Sequence, residues 1–387
     1  MPVPAFVQYF ADLPDPRINR CKRHALLDIL VIAFLAVLCG AEGWEEMQQF
    51  GQAKRRWLKQ RLGLTLSYGI PTDDTFRRVF TRLDPQAFER CFRAWVATLH
   101  EKTQGEVISL DGQLLRHSFD SAFGQSPLCL VRAWASERRL VLGTLPVEVG
   151  SNEIPAVTAL LSVLDVRGCL VTADALHCQK PTAATIIAHE GDYLLALKDN
   201  QPHLHADVAT LFARLQTDRG TRRDWLGAAD GRAYTTFTDH DYGHGRQETR
   251  CCQVLTLAKE DPDWADVQQE WVNLRSLVQL QRTRTQAGKT SVETVYYLSS
   301  VAKDARPVGR AIRKHWQIEN CLHHVLDVAL RADACRIRRD HAPVNMALLR
   351  SIAVNLLRQE TSHKAGVKAK QKLAGWDNDY LLRLLVA

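Results

Sequence analysis

The sequence predicts a mixed α/β fold in which a helical N-terminal segment precedes a sheet-containing core. Apolar residues recur at helical spacing through the first hundred residues, and short β-branched runs begin after Gly105. Two of those runs end on an aspartate, at Asp111 and at Asp174. A chain of 387 residues with 46% hydrophobic content is long enough for one large core or for two to three smaller ones.

The first hundred residues predict helices. The apolar run 26–39 contains Asp28 and is shorter than the roughly 20 residues that cross a bilayer, so it predicts a buried helix and no membrane association. A second helix is predicted at 44–62, Thr72 is expected to cap a third, and Pro85 to open a fourth.

Basic residues accompany the third of these helices. Arg78 and Arg82 fall off its apolar stripe, so the third and fourth helices are compatible with a DNA-binding helix-turn-helix. A solvated outer face explains the same pattern equally well. Both interpretations stay open at this point.

After Gly105 the residue pattern is typical of strands rather than helices. Strands are predicted at 107–111, 128–134, 140–149, 169–174 and 193–197, with a helix before each of the last two. This order indicates a mixed sheet. Because open α/β sheets place their chemistry at the carboxyl ends of strands, Asp111 and Asp174 are candidate site residues.

Residues 205–300 interrupt this order with four candidate strands, at 233–239, 247–255, 276–284 and 292–300, which predict a β-rich insertion. A long helix is then predicted from Pro307 to about residue 330, with Glu319 on its apolar side. A last periodic helix begins at Pro343.

The three carboxylates suggest a divalent-metal site. An aspartate at a strand end is often only a turn residue or helix cap, but a glutamate on an apolar helix face is normally paired or bound to metal. Pairing of Glu319 with Arg313 or His323 is the alternative. Oxygen ligands select Mg²⁺ or Mn²⁺, and two ions about 4 Å apart suit phosphodiester chemistry.

Zinc is less attractive as the metal, because no strong Cys/His spacing accompanies the later histidines, His315, His323, His324 and His341. The net charge of +7 is mildly basic and fits nucleic acid as a partner. Ten cysteines without a Cys-x-x-Cys pair, and no signal peptide, predict a cytoplasmic protein with free thiols.

Seven ordered segments resemble the H-repeat-associated family of bacterial insertion-sequence DDE transposases. They include Leu-Asp-Gly at 110–112, Ser-Asn-Glu-Ile at 151–154 and His-Trp-x-Ile-Glu-Asn at 315–320. The other members of the set are 133–143, 171–175, 196–202 and 345–350. Together they run through nearly the whole chain in the family's order.

The resemblance implies a ribonuclease-H-like catalytic core in which Asp111, Asp174 and Glu319 match the acidic triad and hold two Mg²⁺ or Mn²⁺ ions. It implies four segments: a DNA-binding helical domain at 1–104, the first part of the core at 105–204, the β-rich insertion at 205–304, and the core helices that carry the catalytic glutamate at 305–387. Two departures from relatives are Gln113, where they commonly have a lysine, and Ala332, where they commonly have an acidic residue.

The expected partner is double-stranded DNA, both transposon ends and target, bound by a homodimer in the cytoplasm or on the nucleoid. Trp316 is a candidate for base stacking, although an aromatic residue on a helix face favours the core. A structure-specific nuclease and an inactive DNA-binding relic are the alternatives. The candidate DNA contacts are Arg78, Arg82, Arg116, Lys198, Arg246, Arg313, Lys314, Trp316, Arg336, Arg338 and Arg339.

Overall fold

A computed structural model describes residues 5–19, 22–99, 105–119, 126–218, 225, 231–243, 245–302 and 304–385. The chain divides into two compact units. Unit 1 comprises Met1–Glu101, Gly112–Ser151 and Glu319–Ala387, and unit 2 comprises Lys102–Asp111 and Asn152–Ile318. The four segments inferred from the sequence stay a prediction.

The helices begin and end close to the predicted positions in the N-terminal region. They are α1 Ala5–Gln8, α2 Leu26–Leu38, α3 Trp44–Leu62, α4 Asp73–Arg82, α5 Pro85–Leu99, α6 Glu153–Val163, α7 Lys180–Ala188, α8 Pro202–Thr217, α9 Ala265–Glu270, α10 Ala305–His315, α11 His324–Val328, α12 Ala342–Gln359, α13 Val367–Trp376 and α14 Asn378–Leu384. As predicted, Thr72 caps α4, because its side chain accepts a hydrogen bond from the Thr75 N–H at 3.3 Å. Within the described residues, no helix is both long enough and apolar enough to span a membrane.

The strands confirm the predicted order along the chain. They are β1 Val107–Leu115, β2 Leu128–Ala135, β3 Leu140–Pro146, β4 Leu170–Ala173, β5 Asp192–Leu197, β6 Ala233–Gly243, β7 Arg246–Thr256, β8 Ser276–Gln286 and β9 Lys289–Ser299. Strand β3 is three residues shorter than predicted, since it ends at a proline, which cannot donate a ladder hydrogen bond.

Unit 1 is built around α12, in which nearly every residue is buried. This helix packs against α2, α4, α5 and the hairpin strand β3. Its Asn345 side chain donates hydrogen bonds to the carbonyls of Phe80 and Leu83, at 2.8 and 2.9 Å, which anchors α12 to the end of α4. Strands β2 and β3 are antiparallel, with an irregularity at Ala133 and Trp134.

Unit 2 contains a mixed sheet. Strands β1, β4 and β5 are parallel, and β9 joins β5 in antiparallel orientation with Leu194 opposite Ser299. Strands β9, β8, β7 and β6 then follow as an antiparallel meander. The predicted insertion strands therefore extend the sheet that holds β4 and β5. Helix α10 lies against β4, β6 and β7, and its apolar residues complete the core.

Candidate active site

Asp111 and Asp174 occupy equivalent positions on neighbouring parallel strands of unit 2. The paired register ends with Leu110 opposite Ala173, so each aspartate is the next residue on its strand. Asp174 follows the end of β4, as predicted. For Asp111 the prediction of a strand end is wrong, because β1 continues in extended conformation to Leu115. The parallel pairing, rather than the strand, stops at Asp111.

The Asp174 carboxylate is half exposed at this edge of the sheet. It caps a short 3₁₀ turn, Ala175–His177, by accepting the His177 N–H at 3.4 Å. Within the described part of the chain, no lysine or arginine nitrogen lies within 4.0 Å of this carboxylate, and the nearest ring nitrogen is His177 Nε2, at 3.8 Å. None of the described lysine or arginine side chains therefore neutralises this carboxylate, which suits a cation ligand.

A neutral histidine lies beside Asp174. Nδ1 of His315, the last residue of α10, is 3.0 Å from Thr172 Oγ1 on β4. Burial lowers the pKa of His315 to about 4, and the nearby Asp174 charge offsets only part of that effect. The imidazole is therefore uncharged at neutral pH, and it connects the end of α10 to the strand that leads into Asp174.

Glu319 belongs to unit 1, and its local structure differs from the prediction. The single helix expected from Pro307 to residue 330 is wrong: α10 ends at His315, a π-helical turn spans Ile318–His323, and α11 follows. A π turn holds more residues than an α turn, so it rotates the following side chains relative to an α-helical pattern. The expectation that Glu319 is buried is also wrong, since its side chain is 54% exposed.

His323 is the neighbour of Glu319, one of the two pairings considered from the sequence. Its Nδ1 lies 3.6 Å from Glu319 Oε2. Burial, with the positive charge of Arg132 adding to it, lowers the pKa of His323 to about 3. The contact therefore joins a carboxylate to a neutral ring, and the Glu319 charge is available for a cation.

Gln113 is part of a buried polar network in unit 1. Its Nε2 donates to both carboxylate oxygens of Asp327, at 3.0 and 3.2 Å, and its Oε1 accepts from the buried Arg132. Burial raises the pKa of Asp327, and the nearby Asp333 carboxylate raises it further. Because the Gln113 amide is fully engaged, it connects Arg132 to Asp327 and is not presented for a phosphate contact.

Two of the predicted DNA-contact residues of unit 2 are held by acidic partners. Arg313 donates to Asp239 and Asp241, each at 2.8 Å. Arg246 lies 3.4 Å from Glu248 in the same charge network. Lys198 is exposed directly after β5, and Lys314 is partly buried. All four side chains belong to unit 2. Of these four, only Lys198 follows a strand, β5, that is parallel to β4, the strand that precedes Asp174.

Trp316 is exposed, so the preference for a core position is wrong. Its side chain is 51% exposed immediately after α10, and its ring packs edge-on against His315 with the centroids 6.0 Å apart. The helix ends before this residue, which removes it from the apolar stripe that the sequence pattern assigned to it.

The structure brings three of the six basic candidates of unit 1 together, Arg336, Arg338 and Arg339. A groove of about 1040 Å³ lies between the N-terminal end of α3 and the segment before α12. Its basic lining residues are Arg77, Arg336, Arg338 and Arg339, and its acidic ones are Glu42, Glu45, Glu46, Asp73 and Asp340.

The other basic candidates of unit 1 lie outside this lining. Arg78 is an exposed residue paired with Asp74 at 2.6 Å, and Arg82 is exposed beside Asp340. Arg116 is exposed, and its backbone N–H donates to Asp333 at 2.7 Å.

Glu153 and His177, which lie beside Asp174, were not predicted from the sequence to be site residues. The available signals were positional: His177 lies three residues after Asp174, and Glu153 belongs to the Ser-Asn-Glu-Ile segment at 151–154. The pairing of Arg132 with Gln113 had no comparable signal, because nothing local in the sequence joins residues on different strands.

Known protein families account for most of the chain. Residues 130–356 match the Transposase DDE domain, and residues 7–96 match the DDE_Tnp_1-associated domain. The chain belongs to the DDE transposase family. The DDE transposase match includes Asp174 and Glu319 and begins after Asp111.

Full-length relatives confirm the resemblance to H-repeat-associated transposases. The chain is 36% identical to a putative transposase, YncI, from Escherichia coli O157:H7, over all of this chain and 96% of that one. It is 33% identical to the H repeat-associated putative transposase YhhI of E. coli strain K12, over all of this chain and 98% of that one.

One solved structure aligns with the whole chain. It is a piggyBac transposase synaptic complex with hairpin DNA. The alignment covers 78% of the transposase chain, with 12% sequence identity and a TM-score of 0.39. That score is too low to establish a shared fold.

Proposed function

We propose that this protein is a DNA transposase that cleaves DNA at the ends of an insertion sequence and joins the freed 3′-hydroxyl ends to target DNA. The observation that carries the proposal is the pair Asp111 and Asp174, one residue beyond the last paired residues of two adjacent parallel strands, in a chain that belongs to the DDE transposase family. The parallel order of β1, β4 and β5 also supports a ribonuclease-H-like core.

Asp111, Asp174 and Glu319 are proposed to hold Mg²⁺ or Mn²⁺, as two ions. The donor set fits such cations, because Asp174 and Glu319 present half-exposed carboxylates. The His177 imidazole lies 3.8 Å from the Asp174 carboxylate, and the His323 imidazole lies 3.6 Å from the Glu319 carboxylate. When bound, such ions activate the attacking oxygen and stabilise the leaving oxygen of a phosphodiester. The contributions of the protein are to hold the carboxylates and to keep His315 neutral beside them.

The basic side chains are proposed to position double-stranded DNA through its phosphates. Arg336, Arg338 and Arg339 form one surface with Arg77 in unit 1, and Arg78, Arg82 and Arg116 are further contacts there. In unit 2 the proposed contacts are Lys198, Lys314 and Trp316, together with Arg246 and Arg313, which bind DNA only if phosphates replace their acidic partners. Two transposon ends require two active sites, so we propose a homodimer on DNA.

The test incubates the purified full-length chain and Mg²⁺ with labelled duplexes that carry the inverted repeats flanking its gene. We expect cleaved ends and joined products, both lost with EDTA and in Asp111→Asn, Asp174→Asn and Glu319→Gln. Glu190→Gln, which changes an exposed carboxylate paired with Arg167, is the matched control and should keep activity. Cleavage without joining would instead support a structure-specific nuclease, and binding without cleavage would support an inactive relic.

A further inference from the structure

A buried histidine lies between two carboxylates next to the proposed metal site. The His177 side chain has no exposed surface, and its Nε2 is 3.2 Å from Glu153 Oε2 and 3.8 Å from Asp174 Oδ1. Glu153 is the first residue of α6, and its side chain is 24% exposed. The three residues come from two elements of unit 2 that pack against each other.

The hydrogen bonding of this ring defines which nitrogen carries the proton. Nδ1 is buried with no hydrogen-bond partner in the part of the chain that the structure describes. Nε2 faces the Glu153 carboxylate, which can only accept when ionised. Nε2 therefore carries a proton and donates it to Glu153, so the glutamate fixes the orientation of the ring.

The ring in turn contacts the backbone turn that carries Asp174. The His177 N–H donates to Asp174 Oδ1 at 3.4 Å, and a second bond joins the same N–H to the Asp174 carbonyl at 3.2 Å. The oxygen that accepts this N–H, Asp174 Oδ1, also lies 3.8 Å from the ring Nε2, so a change in ring orientation would alter the surroundings of that oxygen. Ring orientation and carboxylate orientation are thus coupled.

From this geometry we infer that Glu153 and His177 are positioning residues that orient the Asp174 carboxylate toward a divalent cation. The inference rests on the proposed function, since it requires Asp174 to be a metal ligand. Removal of a group that orients a metal-ligating side chain commonly weakens metal affinity about 10- to 100-fold. Neither Glu153 nor His177 touches the reacting phosphate in this role.

Two substitutions of Glu153 separate positioning from helix stability. An acidic residue in the first turn of α6 stabilises the helix through its dipole, and Glu153→Gln and Glu153→Ala both lose that charge. Only Glu153→Ala also loses the acceptor for His177 Nε2. The difference between the two variants therefore reports the loss of the side-chain acceptor, separately from the loss of charge.

The experiment measures Mn²⁺ binding to the full-length chain without DNA, by the electron paramagnetic resonance signal of free Mn²⁺, together with thermal unfolding in EDTA. We expect Glu153→Ala to weaken Mn²⁺ binding about 10-fold or more. Glu153→Gln, which keeps an acceptor, should stay near wild type while sharing the change in unfolding temperature. His177→Gln, whose amide nitrogen can replace Nε2, should also keep most of the affinity.

Equal Mn²⁺ affinity in Glu153→Ala, Glu153→Gln and wild type would overturn the positioning role, even if Glu153→Ala unfolds at a lower temperature. Asp174→Asn is measured in parallel. If Asp174→Asn binds Mn²⁺ as wild type does, the proposed metal site itself is wrong. If Asp174→Asn weakens binding and Glu153→Ala does not, only the positioning role fails.

Discussion

The side chain of Asn355 pairs with the backbone of Val141 as a neighbouring strand would. Its Oδ1 accepts the Val141 N–H and its Nδ2 donates to the Val141 carbonyl, both at 2.9 Å. Val141 lies in β3, and within the described residues β2 is the only strand that pairs with β3 in unit 1. Asn355 of α12 therefore satisfies the N–H and the carbonyl of Val141 on the side of β3 that faces away from β2. Asn355 is fully buried, and it lies 214 residues after its partner in the sequence.

Replacement of Asn355 by alanine should destabilise unit 1 by about 1–3 kcal/mol, because it leaves a buried N–H and a buried carbonyl without partners. Asn355→Asp should cost more, since it keeps an acceptor but buries a charge. Asn378→Ala, at an exposed position, is the control and should change the free energy of unfolding by less than about 0.5 kcal/mol. Urea unfolding measures all three, and an Asn355→Ala variant as stable as the control would contradict the pairing.

Gln113 should act through stability, because its amide connects the buried Arg132 to Asp327. We expect Gln113→Ala to cost about 1–3 kcal/mol of unfolding free energy, as both charged groups lose a hydrogen bond. Gln52→Ala, on an exposed position of α3, is the matched control. If Gln113→Ala instead lowered DNA affinity at unchanged stability, a direct phosphate contact would be the better interpretation.

Trp316 should contribute to DNA binding and little to folding, because half of its side chain is exposed. Stacking of a base on an aromatic ring is worth about 1–3 kcal/mol, so Trp316→Ala should weaken binding to single-stranded or hairpin-ended DNA about 5- to 150-fold. Trp376→Ala removes an even more exposed tryptophan and is the control. A large fall in unfolding temperature for Trp316→Ala would show a structural role instead.

The turn between β8 and β9 places a non-glycine residue in a left-handed conformation. Gln286 pairs with Lys289, so the loop consists of Ala287 and Gly288, with φ of 49° and 74°. Asn-Gly is the preferred pair for such a turn. We expect Ala287→Asn to raise the free energy of unfolding by about 0.4–1 kcal/mol and Ala287→Val to lower it, measured by thermal unfolding. The reverse order would show that this turn is not strained.

Glu360 should make unit 1 sensitive to acid. Burial raises the pKa of this carboxyl, but hydrogen bonds from Ser362 and Tyr380 outweigh burial and hold the pKa below its usual value. The Tyr380 hydroxyl donates to Oε2 at 2.8 Å, and Lys370 lies 3.7 Å away. A lowered folded pKa means that the unfolded chain binds the proton more readily, so this stabilisation is present above the unfolded pKa of about 4.3 and is lost below it.

Glu360→Gln should therefore unfold more easily than wild type at pH 7, and the difference should shrink as the pH falls below about 4.3. Thermal unfolding from pH 7 to pH 3.5 measures this difference. Glu190→Gln, at an exposed surface pair, should show a small difference at every pH. A Glu360→Gln deficit that stays constant across this range would show that the carboxylate charge is not the stabilising element.

The sequence by itself determined the elements whose causes are local. The Thr72 cap, Pro85 at the start of α5, the alternating strands β6 to β9 and the strand that precedes Asp174 follow from spacing and caps within a few residues. The motifs from which Asp174 and Glu319 were predicted to be site residues are local as well. These signals need no partner from elsewhere in the chain.

Only the tertiary structure decided which side chains are engaged and which are presented. Four features depend on partners or strain outside the local pattern: the continuation of β1 past Asp111, the π turn at Glu319, the pairing of Arg313 with Asp239 and Asp241, and the contact between His177 and Glu153. Hydrophobic periodicity records burial on an ideal helix or strand, and it carries no information about a partner tens or hundreds of residues away.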